Sequence, residues 1–391
     1  MYDVIVVGAR CAGAPTAMLL ARAGYRVLML ERACFPRDTL STLYIHQPGV
    51  ALLDHWGVLP DVLATGCPPV RSTLYQVGRV KLEGPLTEMP GASVAYAPRR
   101  HLLDTVLAEA AVKSGVEFRE QCTVTDVVFD GDRAVGVRCA NGSAGWIERA
   151  ALIVGADGMR SRVAQAVKAP TILAHPTLTC VYYGFWSGVT DLFESYGARG
   201  RWIGCVPTHD GLTLIGVYFP QTEFKEIKAH ALDSHCDSLA AVAPELYERV
   251  RASTQVGRLF GTGTQPNFFR QATGPGWALV GDAGYHKDSI CADGITDAFR
   301  QAHLLTACIG TDLHDQPRLS AALDRFGRLR DQLFLDRYHS TLSIARLRAD
   351  RTENSLATMA EDPARVAQFF AYAAGVALDV LVGSRESGAK V

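Results

Sequence analysis

The sequence predicts an α/β fold built on a doubly wound parallel sheet, interrupted by a β-rich insertion and followed by a helical C-terminal region. Three observations predict it. A strand–glycine turn–helix–strand–acid unit fills the first 31 residues. Helix, loop and strand then alternate through residue 165, with two interruptions. Two later apolar strands, Leu152 to Val154 and Trp277 to Val280, end in Gly155-Ala156-Asp157-Gly158 and Gly281-Asp282-Ala283-Gly284.

In the opening unit, Asp3 to Val7 is an apolar strand, followed by the turn Gly8-Ala9-Arg10-Cys11-Ala12-Gly13. Ala14 to Ala23 is an Ala-rich helix, and Arg26 to Leu30 a second apolar strand. Glu31 ends that strand, 18 residues after Gly13. A doubly wound sheet grips a dinucleotide with such a unit. Gly8 lets the chain turn sharply, Gly13 lets helix and strand pack closely, and the N–H groups at the helix start face the pyrophosphate. Glu31 is placed to accept from ribose hydroxyls. The Gly-x-Gly-x-x-Gly pattern is incomplete, because its middle position is Arg10. That side chain must point away from the crowded inner face of the turn, where it adds positive charge near the phosphates. An ordinary βαβ unit without nucleotide is the alternative, and the position of the acid argues against it.

Further along, residues 70–97 are rich in β-formers and turn residues and break the βαβ rhythm. Arg99 to Ser114 reads as a helix with Leu102, Leu103, Val106 and Leu107 on one face. Val116 to Phe118, Thr123 to Phe129 and Val135 to Cys139 form a meander with turns at Asp130-Gly131-Asp132 and Asn141-Gly142. Thr179 to Pro220 is strongly β, with Asp210-Gly211 as a hairpin turn. Thr222 to Ala252 reads as one amphipathic helical stretch. From Ile295 the chain reads as helical almost to its end, with breaks at Pro317 and Pro363.

Composition narrows the function classes. A net charge of −1 gives no reason to expect nucleic acid or an anionic membrane as partner. Ten scattered cysteines form no Cys-x-x-Cys pair and no zinc spacing with histidine, so no metal site is expected. No apolar run is long enough to span a membrane, and the chain enters its first strand at Asp3, so a reduced, cytoplasmic location is expected.

Arg100-His101-Leu102-Leu103-Asp104 opens a helix with Arg100 at its N-terminal end, in reach of a phosphate. An N-terminal Gly-rich turn, this arginine, a midway Asp157-Gly158 and a late Gly281-Asp282 thus occur in order. In this the chain resembles the FAD-dependent monooxygenases of the para-hydroxybenzoate hydroxylase superfamily, with their relatives the geranylgeranyl reductases and flavin-dependent halogenases. The resemblance covers about residues 1–310. It implies a Rossmann-like FAD-binding domain assembled from 1–69, 98–165 and 270–310, with an inserted β-rich substrate domain of 70–97 and 166–269. A helical C-terminal region, 311–391, completes the chain.

Carried onto this sequence, the resemblance implies that Gly8, Ala9, Arg10, Ala12 and Gly13 surround the FAD pyrophosphate. Glu31 would hold the adenosine ribose, Arg32 would lie beside the adenine, Val124 would touch it through backbone, and Arg100 would meet a phosphate. Asp157 would stabilise the FAD site, and Asp282 would bind the ribityl chain. Gly294-Ile295 would offer backbone N–H groups to the edge of the flavin ring that becomes negative on reduction.

The expected activity is oxygenation of a small aromatic or polyketide-like substrate through a flavin C4a-hydroperoxide, using NADPH or NADH and O₂, with a separate flavin reductase as an optional partner. His46, His286 and Asp288 are the candidate catalytic residues, histidine because it titrates near neutral pH. Tyr44, Gln47, Tyr285 and Lys287 are polar neighbours in the same two loops. The bland alternatives are a backbone-bonded His46 and a solvated loop at 286–288. Trp202-Ile203-Gly204-Cys205-Val206-Pro207 lacks the second Trp of the halogenase Trp-x-Trp-x-Ile-Pro motif and also resembles the Tyr-x-Trp-x-Phe-Pro region of the reductases. A carbon–carbon double-bond reductase is therefore the rival enzyme. Arg10 and the altered Asp288-Ser289 loop leave a non-catalytic FAD-binding redox sensor as the rival of another class.

Overall fold

The computed structural model describes residues 1–142, 144–349 and 352–376. Its organising element is a sheet whose central strands run in the order Trp277–Leu279, Ala144–Gly155, Tyr2–Val7, Val27–Leu30 and Glu117–Arg119, every adjacent pair parallel. These strands are apolar without interruption because both faces are covered. Val4, Val6 and Met29 enter one core, whereas Ile5, Val7, Leu28 and Leu30 enter the core on the other face. The helices Gly13–Arg22, Arg100–Lys113 and Gly294–Ile309 pack into the first of these cores.

The strand Ala144–Gly155 serves two partners in succession. Up to Arg149 it pairs antiparallel with Arg133–Asn141, and from Ala150 it pairs parallel with Tyr2–Val7. The meander is completed by Thr123–Asp130 against Arg133–Asn141.

A second sheet of seven strands joins the two β-rich excursions. The hairpin Ser72–Val77 and Val80–Pro85 docks on Phe193–Ala198, which pairs with Ser72–Val77 in parallel. Arg201–Pro207, Leu212–Pro220, Thr179–Ser187 and Gln255–Thr262 follow in antiparallel order. One face of this sheet packs on helices Ala231–Val242 and Pro244–Arg251 through Ile203, Ile215, Leu239 and Leu246. The other face meets Leu43, Tyr44 and Ala292 of the dinucleotide unit.

The stretch expected as one helix, Thr222 to Ala252, is three: Phe224–Ala229, Ala231–Val242 and Pro244–Arg251. His230 and Ala243 leave helical geometry, the latter because Pro244 forces its predecessor towards extended backbone. A three-stranded sheet of Thr171–His175, Asn267–Arg270 and Tyr285–His286 was not anticipated; its strands are too short to show a period. The breaks expected at Pro317 and Pro363 are helix starts, Gln316–Ala345 and Pro363–Ala373, with both prolines in the first turn. Helices Glu353–Ala360 and Pro363–Ala373 cover the 72–85 hairpin, burying Leu356 and Phe370 against Val77 and Leu82.

Candidate active site

Because the central strands are parallel, their carboxyl ends gather every N-terminal, midway and late motif along one edge. A topological crevice outside such strand ends is where doubly wound sheets bind ligands. Two glycines allow the motifs to touch. Gly8 sits at φ +99°, and a Cβ there would meet Ala156 O at 2.5 Å, so the first turn lies against the midway motif. Gly281 sits at φ +58°, and a Cβ there would meet the Ala12 Cβ at 2.7 Å, so the late motif lies against the same turn.

The start of helix Gly13–Arg22 carries no acidic residue and no side-chain cap, which leaves its positive end available to an anion. Glu31 is buried and holds the turn: its carboxylate accepts from Ala9 N at 3.1 Å and Ala33 N at 3.0 Å. Arg10 points outward to Asp104, with Nη1 3.0 Å from the carboxylate. Arg100 forks onto the same carboxylate at 2.9 and 3.1 Å. Two guanidinium groups thus share one buried anion, and the surplus positive charge sits beside the turn. Asp104 was missed by sequence reasoning, although its i, i+4 spacing from Arg100 was a signal. Cys11 is buried with its thiol 3.4 Å from Asp104, and burial pushes its pKa far up, so it is a packing thiol.

Asp157 accepts from the Ser161 hydroxyl at 2.5 Å and from Arg162 N and Val163 N, fixing the start of helix Arg162–Ala166. Arg32 is exposed at the end of the second strand, and Val124 is buried opposite Cys139 in the meander. Asp282 lies in a single helical turn, Gly281–Ala283, and its charge acts on Arg100.

A second constellation surrounds the start of helix Gly294–Ile309. Asp293 directs its carboxylate away from the helix, onto Arg337 Nε and Nη2 at 2.8 Å each and onto Lys287 Nζ at 2.9 Å. Lys287 also reaches Asp297 at 2.8 Å, and Tyr285 donates to that carboxylate at 3.0 Å. All five side chains are buried. Burial alone would raise the Asp293 pKa and lower that of Lys287, but the paired charges reverse both directions. Arg337 comes from a helix 44 residues away, with no local signal.

His46 stands at this cluster. Its Nε2 is 3.2 Å from Cys291 O and 3.4 Å from Asp293 Oδ1, and its backbone N–H donates to Thr296 Oγ1. Burial lowers its pKa to about 4, so it is neutral at pH 7, with Nε2–H donating and Nδ1 as the basic atom. A Cβ on Gly294 would touch nothing within 4 Å, so the first helical turn borders open space, while Ile295 beside it is buried. His286 and Asp288 face the other way. His286 bonds Pro266 O, and Asp288 accepts from Thr179 Oγ1 at 2.7 Å and Ile290 N at 3.1 Å. Burial pushes the Asp288 pKa up to about 6. The 286–288 loop is buried, not solvated.

These features fit an FAD: an uncapped, cation-rich helix start, motifs in van der Waals contact along one sheet edge, and an open second helix start. A family model described as "FAD binding domain" matches residues 1–210, more than half of the chain. The tryptophan 2-halogenase of Chondromyces crocatus is 25% identical over 348 residues, covering 85% of this chain. This chain spans 65% of that halogenase, under two thirds of its length. A digeranylgeranylglycerophospholipid reductase of Methanosarcina acetivorans is 26% identical over 313 residues (76% of this chain, 72% of that one). The 6-methylpretetramide 4-monooxygenase of Streptomyces rimosus is 26% identical over 314 residues (77% and 73%). Among solved structures, the myxobacterial chondrochloren halogenase CndH superposes with TM-score 0.79 at 24% identity, covering 95% of this chain and 96% of that one. PqsL of Pseudomonas aeruginosa, a probable FAD-dependent monooxygenase, superposes with TM-score 0.72 at 21% identity (94% and 99%). At such identities the likeness shows the fold. The chain belongs to the FAD-binding-domain family.

Proposed function

We propose that the chain is an FAD-dependent monooxygenase that oxygenates a small aromatic or polyketide-like molecule. The observation that carries this reading is the start of helix Gly294–Ile309, where a Cβ on Gly294 would touch nothing within 4 Å, beside an apolar cluster. There Ala292 packs with Tyr44, Phe185, Val206 and Leu214 in one apolar cluster. Bound FAD would supply two-electron chemistry and, once reduced by NADPH or NADH, react with O₂. The protein's part is binding, orientation and exclusion of water.

Gly8 to Gly13 would receive the pyrophosphate, with Arg100 and Arg10 adding positive charge and Asp104 fixing both. Glu31 and Arg32 would meet the adenosine, Val124 the adenine, and Asp282 the ribityl hydroxyls. Asp157 supports this site by capping the helix Arg162–Ala166. Gly294 and Ile295 N–H groups would stabilise negative charge on the reduced ring. Asp293, held by Lys287 and Arg337, fixes the approach to that helix start. His46 Nδ1 is the candidate proton acceptor for a substrate hydroxyl, and Asp288 and His286 hold the loop behind it.

Halogenation is disfavoured by the Trp202 stretch, which lacks the second Trp. Lys287 is engaged by two carboxylates and is not free to relay an oxidant. A double-bond reductase is the second reading, favoured by the similarity to the archaeal reductase.

The test is the visible spectrum of the purified protein, followed by anaerobic NADPH or NADH and then isotope-labelled O₂ with an aromatic acceptor panel. Label in the product supports oxygenation. Flavin that stays reduced in air until an alkene is supplied supports the reductase. Reduction only by an added flavin reductase would make that enzyme a partner. A protein that takes up no FAD would refute both.

A further inference from the structure

We infer that Tyr44 is a specificity-determining residue, binding a flat aromatic ring on its face and donating its hydroxyl to a ketone or quinone oxygen of that ring. This rests on the monooxygenase reading and deepens it by naming a substrate class.

Tyr44 is 1% exposed, yet its hydroxyl has no hydrogen-bond partner. A buried tyrosine hydroxyl normally finds one, because leaving it unmade forfeits its hydration for nothing. Two further buried atoms are unpartnered on residues linked to the elements of this cluster. Gln47 Oε1 is one; its Nε2 donates to Thr87 O, beside Leu86 of the Tyr44 cluster. Arg99 Nε is the other, its guanidinium lying 4.2 Å over Phe185 of that cluster.

The ring of Tyr44 stands between His46 and the seven-stranded sheet. On one side it meets His46 edge-on at 4.7 Å, and His46 in turn reaches Cys291 and Asp293. On its face it stacks with Phe193 at 4.2 Å and 17°. Phe193 is half-buried at the start of its strand, so it can yield that face to an incoming ring. Burial pushes the Tyr44 phenol far above its ordinary pKa, which keeps it a donor. A planar aryl ketone or quinone supplies both the acceptor oxygen and the flat ring.

The experiment titrates the FAD-loaded protein with acetophenone and with ethylbenzene, following the flavin spectrum and binding heat. The wild-type protein should prefer the ketone by about tenfold, one good hydrogen bond to a buried donor. Tyr44→Phe should reduce that preference to near parity, with ethylbenzene and FAD affinities unchanged. Phe193→Ala should tighten both probes by vacating the face. An undiminished preference in Tyr44→Phe, weaker binding in Phe193→Ala, or no binding of either probe to FAD-loaded protein would overturn the inference alone. Failure to retain FAD, read beforehand from the spectrum, would overturn the underlying reading as well.

Discussion

Asp282 is a single short side chain on a one-turn helix, and Gly281 at its start lets that helix lie against the first turn. Replacing it by alanine removes the candidate acceptor for the ribityl hydroxyls without altering the packing. Asp282→Ala is expected to lose FAD on gel filtration, with the apoprotein's far-ultraviolet dichroism unchanged. His235 gives a residue-scale prediction of another kind. It is fully buried, stacked on Trp186 at 5.1 Å, with Nε2 3.3 Å from Ile215 O and Nδ1 unpartnered. Burial lowers its pKa to about 4, against about 6.5 in the unfolded chain. The unfolded state therefore binds the extra proton between these values, so stability is full above about pH 6.5 and falls as pH drops towards 4. His235→Gln should lessen the acid-induced loss by about 2 kcal/mol at pH 5, measured by denaturant titration at pH 5 and pH 7.

Elements meet where side chains are absent or where charges are enclosed. Gly281 packs the late turn onto helix Gly13–Arg22 at a left-handed backbone position. Gly281→Ala adds a methyl into Ala12 and should cost about 1–3 kcal/mol while weakening FAD binding, measured by thermal unfolding with and without FAD. The start of helix Gly294–Ile309 is held by charge. Asp293→Asn would leave Lys287 and Arg337 facing Asp297 as the remaining carboxylate of the cluster. Removing one member of a buried ionic cluster costs about 3–5 kcal/mol, and that loss is expected in denaturant unfolding of the variant. Arg337 also donates to Ala373 O at 2.6 Å, and Arg300 to Gly375 O at 2.8 Å, so the same cluster anchors the end of helix Pro363–Ala373.

At the scale of the whole molecule, the C-terminal helices brace the sheet that faces the site, without supplying any candidate FAD contact. A chain ending at Ala349 would bare Val77 and Leu82 by removing Leu356 and Phe370. It should lose about 3–6 kcal/mol of stability yet still take up FAD, measured by unfolding and by the flavin spectrum. No helix among the described residues is long and apolar enough to cross a membrane. The opening unit was legible because each of its signals is local: an unbroken apolar run for a strand covered on both faces, glycines at the turn, an acid at fixed spacing. The family and its cofactor followed from the order of such local motifs along the chain. What spacing does not encode is which distant groups meet. Asp104 between two arginines, Arg337 on Asp293, and the Tyr44 ring stacked on Phe193 with its buried hydroxyl unpartnered are products of helices and sheets packing from separate parts of the chain. The sequence by itself determined the α/β class and the order of motifs that marks the FAD-binding family, since backbone geometry and period depend on neighbouring residues. Only the tertiary structure decided which charges are neutralised and which polar atoms remain open, because burial and partnership are properties of the packed chain.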